Sequence, residues 1–226
     1  MDLAKTIDHT FLKPNGSPAD VAKLCREAKR YGFASVCVHP CEVARSARLL
    51  RGSGVKVCTV IGFPLGQNTA ALKLCEAMEA GADGADELDF VVNVAKLKVA
   101  AAKGAASREA KSAREDWKLI LASVREAAPS VVTKLIIECC YLTDREKVFA
   151  CRLARAVGFD FVKTSTGFGT GGATVADVRL MRKTVGPRMG VKAAGGIRTR
   201  EDALAMIAAG ANRLGCSAGV AIVGKK

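Results

Sequence analysis

Phe159-Asp-Phe-Val-Lys163 and, 29 residues later, Met189-Gly-Val-Lys192 decide the fold of this chain. Each is a short apolar run that stops at a lysine. Small, glycine-rich sequence follows both: Thr164-Ser-Thr-Gly167 after the first, Ala193-Ala-Gly195-Gly196 after the second. The interval suits one strand, a crossover helix and the start of a parallel return strand. Runs of the same kind recur at 5–10, 35–38, 55–61, 87–92, 134–138, 159–164, 190–194 and 213–216, with alanine-rich segments between them. Those segments open on capping signals: Ser17-Pro18 with Asp20, Thr143 with Glu146, and Thr199 with Asp202. Glycines at 32, 54, 81, 158 and 210 mark their ends. Eight such units at about 28 residues each predict a closed (β/α)8 TIM barrel built as one domain over residues 1–226. The alternative is an open doubly wound sheet. It needs fewer strands, and no G-x-G-x-x-G fingerprint follows the first strand. Apolar runs without clear alternation predict strands buried on both faces. The fourth crossover, 94–128, is about ten residues longer than its neighbours. It reads as one extended surface helix, with eight Lys/Arg against four Asp/Glu between Lys96 and Glu126.

Composition narrows the function classes. Half the residues are hydrophobic, enough for a full core, and the formal charge is +13. That charge raises nucleic acid as a partner. The basic residues are spread along the helical segments, however, and no basic-aromatic interleaving of the kind that stacks bases appears. Attraction of anionic substrates is the reading that survives. Nine cysteines form no C-x-x-C pair, and His9 and His39 are the only histidines, so no metal site is expected. Reduced thiols, an N-terminus without a signal-peptide apolar core and the absence of a membrane-length apolar run together predict a cytoplasmic protein without membrane association.

In a barrel of this kind chemistry gathers at the C-terminal ends of the strands. The polar residues there are Asp8, Thr10, Cys37, His39, Asp89, Asn93, Glu138, Lys163, Thr164, Thr166, Lys192 and Ser217. Individually each has an ordinary explanation, as a cap, a core thiol or a solvated amine. Together they place two lysines and a carboxylate from an apolar run (Leu88-Asp89-Phe90) at one mouth. A cationic amine beside a second amine in a desolvated site loses proton affinity and becomes a nucleophile. The glycine-rich turns Ala193-Ala-Gly195-Gly196-Ile197-Arg198 and Gly215-Cys-Ser217-Ala218-Gly219 follow the seventh and eighth strands, where barrels hold phosphate through backbone amides and a short helix N-terminus.

Seven motifs then form a collinear pattern from about residue 5 to 223: Ile7-Asp-His-Thr10, Ser35-Val-Cys-Val-His39, Thr59-Val-Ile-Gly-Phe-Pro-Leu-Gly66, Asp86-Glu-Leu-Asp89, Phe161-Val-Lys-Thr-Ser-Thr-Gly-Phe168, Val191-Lys-Ala-Ala-Gly-Gly-Ile-Arg198 and Arg213-Leu-Gly-Cys-Ser217. The pattern resembles the deoxyribose-phosphate aldolases. The resemblance implies a class I carbon–carbon lyase that needs no cofactor or metal. It would cleave 2-deoxy-D-ribose 5-phosphate reversibly to D-glyceraldehyde 3-phosphate and acetaldehyde. By that resemblance Lys163 is the Schiff-base lysine, Lys192 the second lysine and Asp89 the aspartate of the proton relay. Asp8, Cys37 and Thr166 match residues lining the substrate pocket. Gly167, Gly195, Gly196, Arg198, Gly215 and Ser217 match the phosphate region. The implied chemistry joins Lys163 to the sugar aldehyde as an iminium, which then drives cleavage at C3–C4 once the C4 hydroxyl loses its proton. Relatives suggest a homo-oligomer, a dimer or tetramer. Three alternatives stay open: another Schiff-base aldolase acting on a phosphosugar, a pyridoxal-phosphate enzyme, and a phosphosugar-binding barrel without catalysis.

Overall fold

A computed structural model describes residues 2–224. Eight parallel strands close in chain order, each hydrogen-bonded to the next and the eighth to the first. They are β1 (Ile7–Thr10), β2 (Ser35–Val38), β3 (Lys56–Ile61), β4 (Glu87–Val91), β5 (Val132–Ile136), β6 (Phe161–Lys163), β7 (Gly190–Ala194) and β8 (Arg213–Cys216). The helices outside them are α1 (Pro18–Tyr31), α2 (Val43–Leu50), α3 (Ala70–Ala82), α4 (Val94–Lys103), α5 (Arg108–Ala127), α6 (Asp144–Val157), α7 (Val175–Val185), α8 (Arg200–Ala208) and α9 (Gly219–Val223). The predicted (β/α)8 barrel is the fold observed.

The capping signals act as read. Ser17 with Asp20, Thr143 with Glu146 and Thr199 with Asp202 each form a reciprocal capping box. Each satisfies backbone donors that a helix start leaves open, at a gain of about 1 kcal/mol. Gly32 and Gly158 close α1 and α6 in the left-handed conformation. Gly81 instead lies within α3, and Gly84 makes the turn after it. The long fourth crossover is two helices rather than one. Gly104, at φ 89, ends α4, and Ser107 caps α5 afresh. A left-handed glycine stops a helix at little cost, so alanine-rich sequence on both sides does not fuse the pair. Nor is α5 only a surface helix. Trp117, Ile120, Leu121 and Val124 are buried, and the Trp117 ring meets Phe90 of β4 and Phe159 before β6 at 5.8 and 5.5 Å.

The strands are buried on both faces except at a few end residues, and the two faces differ in kind. Residues turned outward toward the helices are apolar: Val36, Val57, Leu88, Phe90, Leu135, Val162, Val191, Ala193 and Leu214 all join the main core cluster. Each of these side chains larger than alanine contributes roughly 1.5–3 kcal/mol by leaving water. Their neighbours along the strands turn into the barrel and are largely ionic: Asp8, Glu87, Asp89, Lys134, Lys163, Lys192 and Arg213. The expected uniformly apolar strands are therefore alternating strands, with charge inside and hydrocarbon outside. Register aligns the interior groups, since Asp89 pairs with Lys134, Lys163 with Lys192 and Lys192 with Arg213 across neighbouring strands.

Candidate active site

β4 is Glu-Leu-Asp-Phe-Val, and its inward period places Glu87 and Asp89 one above the other in the barrel. Asp89 is fully buried and is the common acceptor of the site. Its Oδ2 accepts from Lys163 Nζ at 2.8 Å and from Lys192 Nζ at 2.7 Å, while Oδ1 accepts from Lys134 Nζ at 2.8 Å. Burial alone would raise its pKa; the charges of Lys134, Lys163 and Lys192 outweigh burial and hold Asp89 well below the usual carboxylate range. Lys163 ends β6 as expected. Lys192 does not end β7, which continues to Ala194, and its amine is consequently more deeply enclosed.

The two predicted lysines and Asp89 thus converge, and they do so on an ionic cluster larger than the sequence reading supplied. Lys134 Nζ also donates to Glu87 Oε2 at 2.6 Å. Lys192 Nζ lies 2.5 Å from Asp8 Oδ2. Arg213 reaches Asp8 through Nε at 2.8 Å and grips Glu87 with both terminal nitrogens at 3.0 Å. Burial pushes Lys192 down, but Asp8 and Asp89 prevail and raise it well above an ordinary lysine. Lys134 is raised for the same reason, with burial again overcome, chiefly by Asp89. For Asp8, burial is overcome by Lys192 and Arg213, and the carboxyl stays strongly acidic. Asp8 was expected to line the substrate pocket; fully enclosed beside Lys192 and Arg213, it is a counter-ion of the second lysine.

Lys134, Arg213 and Glu87 complete this cluster without standing at the C-terminal end of a strand. Alternation marks Glu87, since Glu87-Leu-Asp89-Phe places charge at every second position as an inward-facing strand does, whereas Lys134 and Arg213 are single charges whose facing only the register fixes. Counting the cluster gives three carboxylates (Asp8, Glu87, Asp89) against four cations (Lys134, Lys163, Lys192, Arg213).

Cys37 is buried with Cys58 on the adjoining strand, and Leu12, Val60 and Phe63 complete an apolar wall inside the barrel. A hydrogen bond with Cys58 lowers the Cys37 pKa against the opposing effect of burial, aided by Lys192 and Lys163. Donor atoms of Cys37, Cys58 and Asp89 lie within 4.8 Å of one another, as do those of Asp8, Cys58 and Glu87. Lys134 already occupies that neighbourhood, donating to Cys58 Sγ, Glu87 and Asp89, so ammonium groups supply the positive charge.

Above β6 the chain runs through Thr164-Ser-Thr166-Gly167, and Thr166 is buried while Gly167, at φ 86, is exposed. Gly195 and Gly196 follow β7 at φ 88 and 82. The β6 and β7 loops touch so closely that a Cβ at Gly172 would lie 2.3 Å from the Gly195 carbonyl oxygen. Gly196, Arg198 and Ser217 are exposed at this rim. Two features depart from the expected phosphate cradle. Gly215 lies buried within β8, where a Cβ would come 3.2 Å from Lys192 Cε, so its bareness makes room for the lysine stem. The N-terminus of α8 already holds an anion, the Asp202 carboxylate, which accepts from the Arg198 and Thr199 amides at 3.0 Å each. An incoming phosphate therefore depends on the glycine loops and rim side chains more than on the α8 dipole.

Comparison with known proteins agrees with this arrangement. The model of the DeoC/LacD family aldolases matches residues 3–225. A deoxyribose-phosphate aldolase of Thermoanaerobacter sp. (strain X514) is 54% identical over 223 residues, spanning 99% of this chain and 96% of the relative. One of Clostridium perfringens (strain 13 / Type A) is 54% identical over 220 residues, spanning 97% and 93%. Among solved structures, a putative deoxyribose-phosphate aldolase from Coccidioides immitis superposes with a TM-score of 0.87 at 41% identity, over 98% of this chain and 84% of that one. The deoxyribose phosphate aldolase from Aeropyrum pernix, described as having a unique tetrameric structure, gives 0.87 at 35% identity, over 98% and 89%.

Proposed function

The chain belongs to the DeoC/LacD aldolase family, and we propose that it cleaves 2-deoxy-D-ribose 5-phosphate reversibly to D-glyceraldehyde 3-phosphate and acetaldehyde through an imine on Lys163. The observation that carries the reading is the single oxygen, Asp89 Oδ2, that accepts from both Lys163 and Lys192 inside the barrel.

Charge balance selects the nucleophile. Four cations facing three carboxylates leave one positive charge in excess, and an unmatched charge in a dry interior is costly. The excess vanishes when one amine gives up its proton. Among the described residues, Lys134, Lys192 and Arg213 each contact two carboxylates, whereas Lys163 contacts that of Asp89 alone and ends its strand at the barrel mouth. Lys163 is thus the amine least held by counter-ions and the one that meets the substrate, while Lys192 stays cationic between Asp8 and Asp89.

Neutral Lys163 adds its lone pair to the C1 aldehyde of the open-chain sugar. Loss of water from the carbinolamine gives the protonated imine. Counting carbons fixes the bond that breaks: a two-carbon aldehyde and a three-carbon phosphate arise only from cleavage at C2–C3, so the C3–C4 break expected from the sequence is corrected. The C3 hydroxyl loses its proton, the C2–C3 electron pair moves into the iminium, and D-glyceraldehyde 3-phosphate departs. The remaining enamine takes a proton at C2 and is hydrolysed to acetaldehyde, using the equivalent of water released at the start. Asp89, through Lys192 and an ordered water, passes protons between these steps. The Leu12, Cys37, Cys58, Val60 and Phe63 wall keeps water from the enamine, and Thr166 meets the sugar. Gly167, Gly195, Gly196, Arg198 and Ser217 hold the phosphate, whose binding orients C1 against the amine.

We read the chain as a cytoplasmic homo-oligomer, a dimer or tetramer, as the tetrameric relative suggests. Nine free cysteines support a reducing compartment, and no helix among the described residues is long and apolar enough to cross a membrane. The test of the activity is direct. The chain incubated with 2-deoxy-D-ribose 5-phosphate should release acetaldehyde and D-glyceraldehyde 3-phosphate in equal amounts, and Lys163→Leu should release neither. Turnover by Lys163→Leu would remove the proposed nucleophile.

A further inference from the structure

Glu138 lies two residues beyond β5 and is the only non-glycine residue with positive φ, 55°, among the described residues. A side chain in that conformation is held there by its surroundings, and such positions concentrate at functional sites. Glu138 is also buried, and no lysine or arginine forms an ion pair with it among the described residues. Apart from a long contact from the Cys140 thiol at 4.0 Å, its carboxylate is taken up by one residue. Oε1 accepts from the Thr166 amide at 3.1 Å, and Oε2 accepts from the Thr166 hydroxyl. The same hydroxyl oxygen accepts from the Phe168 amide at 3.0 Å, so one carboxylate fixes the turn Thr166-Gly167-Phe168. The loop then folds over its anchor, since a Cβ at Gly169 would lie 3.3 Å from Glu138 Cδ. Farther along, the loop rests on the β7 turn through the Gly172–Gly195 approach, and a Cβ at Gly195 would lie 3.6 Å from Gly167 Cα.

We infer that Glu138 is a positioning residue for the phosphate end of the substrate: it latches the β6 loop through Thr166 and thereby sets Gly167 against Gly195 and Gly196. The inference rests on the function proposed above. Lys163 is fixed independently of the latch, by the β5–β6–β7 ladder and by Asp89, so the two ends of the substrate are held by separate devices.

The separation makes the latch testable. Glu138→Gln keeps the size of the side chain and one accepting oxygen while removing its charge, and Glu138→Ala removes both. Kinetics are compared on 2-deoxy-D-ribose 5-phosphate and on 2-deoxy-D-ribose, which lacks the phosphate. With Glu138→Gln, KM for the phosphorylated sugar should rise about tenfold, the effect of one hydrogen bond to a charged group. Its kcat should stay within about twofold, and kcat/KM for the unphosphorylated sugar, which meets Thr166 but not the glycine loops, should fall by no more than about threefold. Glu138→Ala should widen the gap; if it does not fold, the glutamine variant, checked by thermal melting, carries the test alone. Unchanged KM, or equal losses on both sugars, overturns the inference. Borohydride trapping of acetaldehyde at Lys163 separates the two readings. A wild-type chain that traps nothing overturns the function and the latch together. Normal trapping with no phosphate discrimination in Glu138→Gln overturns the latch alone.

Discussion

Replacing Asp89 with asparagine removes one negative charge and almost no volume, and the barrel interior should respond in two separable ways. Lys134, Lys163 and Lys192 donate to that carboxylate at 2.8, 2.8 and 2.7 Å, all of them buried. Without it, two carboxylates face four cations (four minus two leaves an excess of two), so a single neutral amine no longer balances the cluster. Removing one partner of a buried ion pair costs about 3–5 kcal/mol. For a chain of this length each kcal/mol moves the melting temperature by roughly 2–4 °C, so Tm should fall by about 6–20 °C. Activity should fall by about 10²–10⁴, the usual contribution of a positioned proton-transfer group. The double variant Asp89→Asn/Lys134→Met removes one of the stranded cations. Lys134 is the suitable partner because its other carboxylate, Glu87, keeps Arg213. Thermal unfolding followed by circular dichroism at pH 7 should show the double variant more stable than Asp89→Asn, with activity no higher than in the single variant. A single variant that melts within about 1 °C of wild type, or a double variant less stable than the single, refutes the argument from charge balance.

Three further outcomes follow from the same geometry. Lys134→Met leaves the Asp89 carboxylate to Lys163 and Lys192 alone, so it should hold the Lys163 amine more tightly and aldehyde trapping at pH 7 should drop by about an order of magnitude, although Lys134 belongs to β5; trapping at the wild-type rate would contradict this. Asp8 and Asp89 titrate below their unfolded value of 3.8, so the unfolded chain binds more protons in that range. The stability they contribute is present above about pH 4 and lost as pH falls below it, and urea midpoints measured from pH 7 to 3 should decline steeply only at the acid end. Gly172→Ala drives a methyl group against the Gly195 carbonyl and should raise KM for the phosphorylated sugar severalfold, with imine formation from acetaldehyde unchanged.

Much of this molecule is legible before any coordinate is known. Strand and helix alternate at a period the chain repeats eight times, and capping boxes and terminal glycines punctuate it at fixed places. Lys163, Lys192 and Asp89 stand out because a charge inside an apolar run demands a partner, and eight strands of one barrel aim such groups at a shared axis. What escapes a linear reading is whatever depends on register. Asp8 resembles a pocket residue until β1 is set beside β8, where Arg213 and Lys192 claim it. Lys134 looks like the start of an ordinary strand until Asp89 appears across from it. Gly215 reads as part of a phosphate turn, yet its neighbour is the Lys192 stem, which no spacing within 213–219 reveals. The break at Gly104 was hidden by the helix-forming alanines around it, which signal helix on both sides and say nothing about its continuity.

Reductive trapping tests the central claim most directly. The chain is incubated with acetaldehyde at pH 7, reduced with borohydride, digested and mapped by mass spectrometry. The account predicts one ethyl group on Lys163 Nζ, absent from Lys163→Leu and strongly reduced in Lys192→Leu. An adduct centred on Lys192, or none on Lys163 under conditions where the sugar phosphate is cleaved, would contradict it.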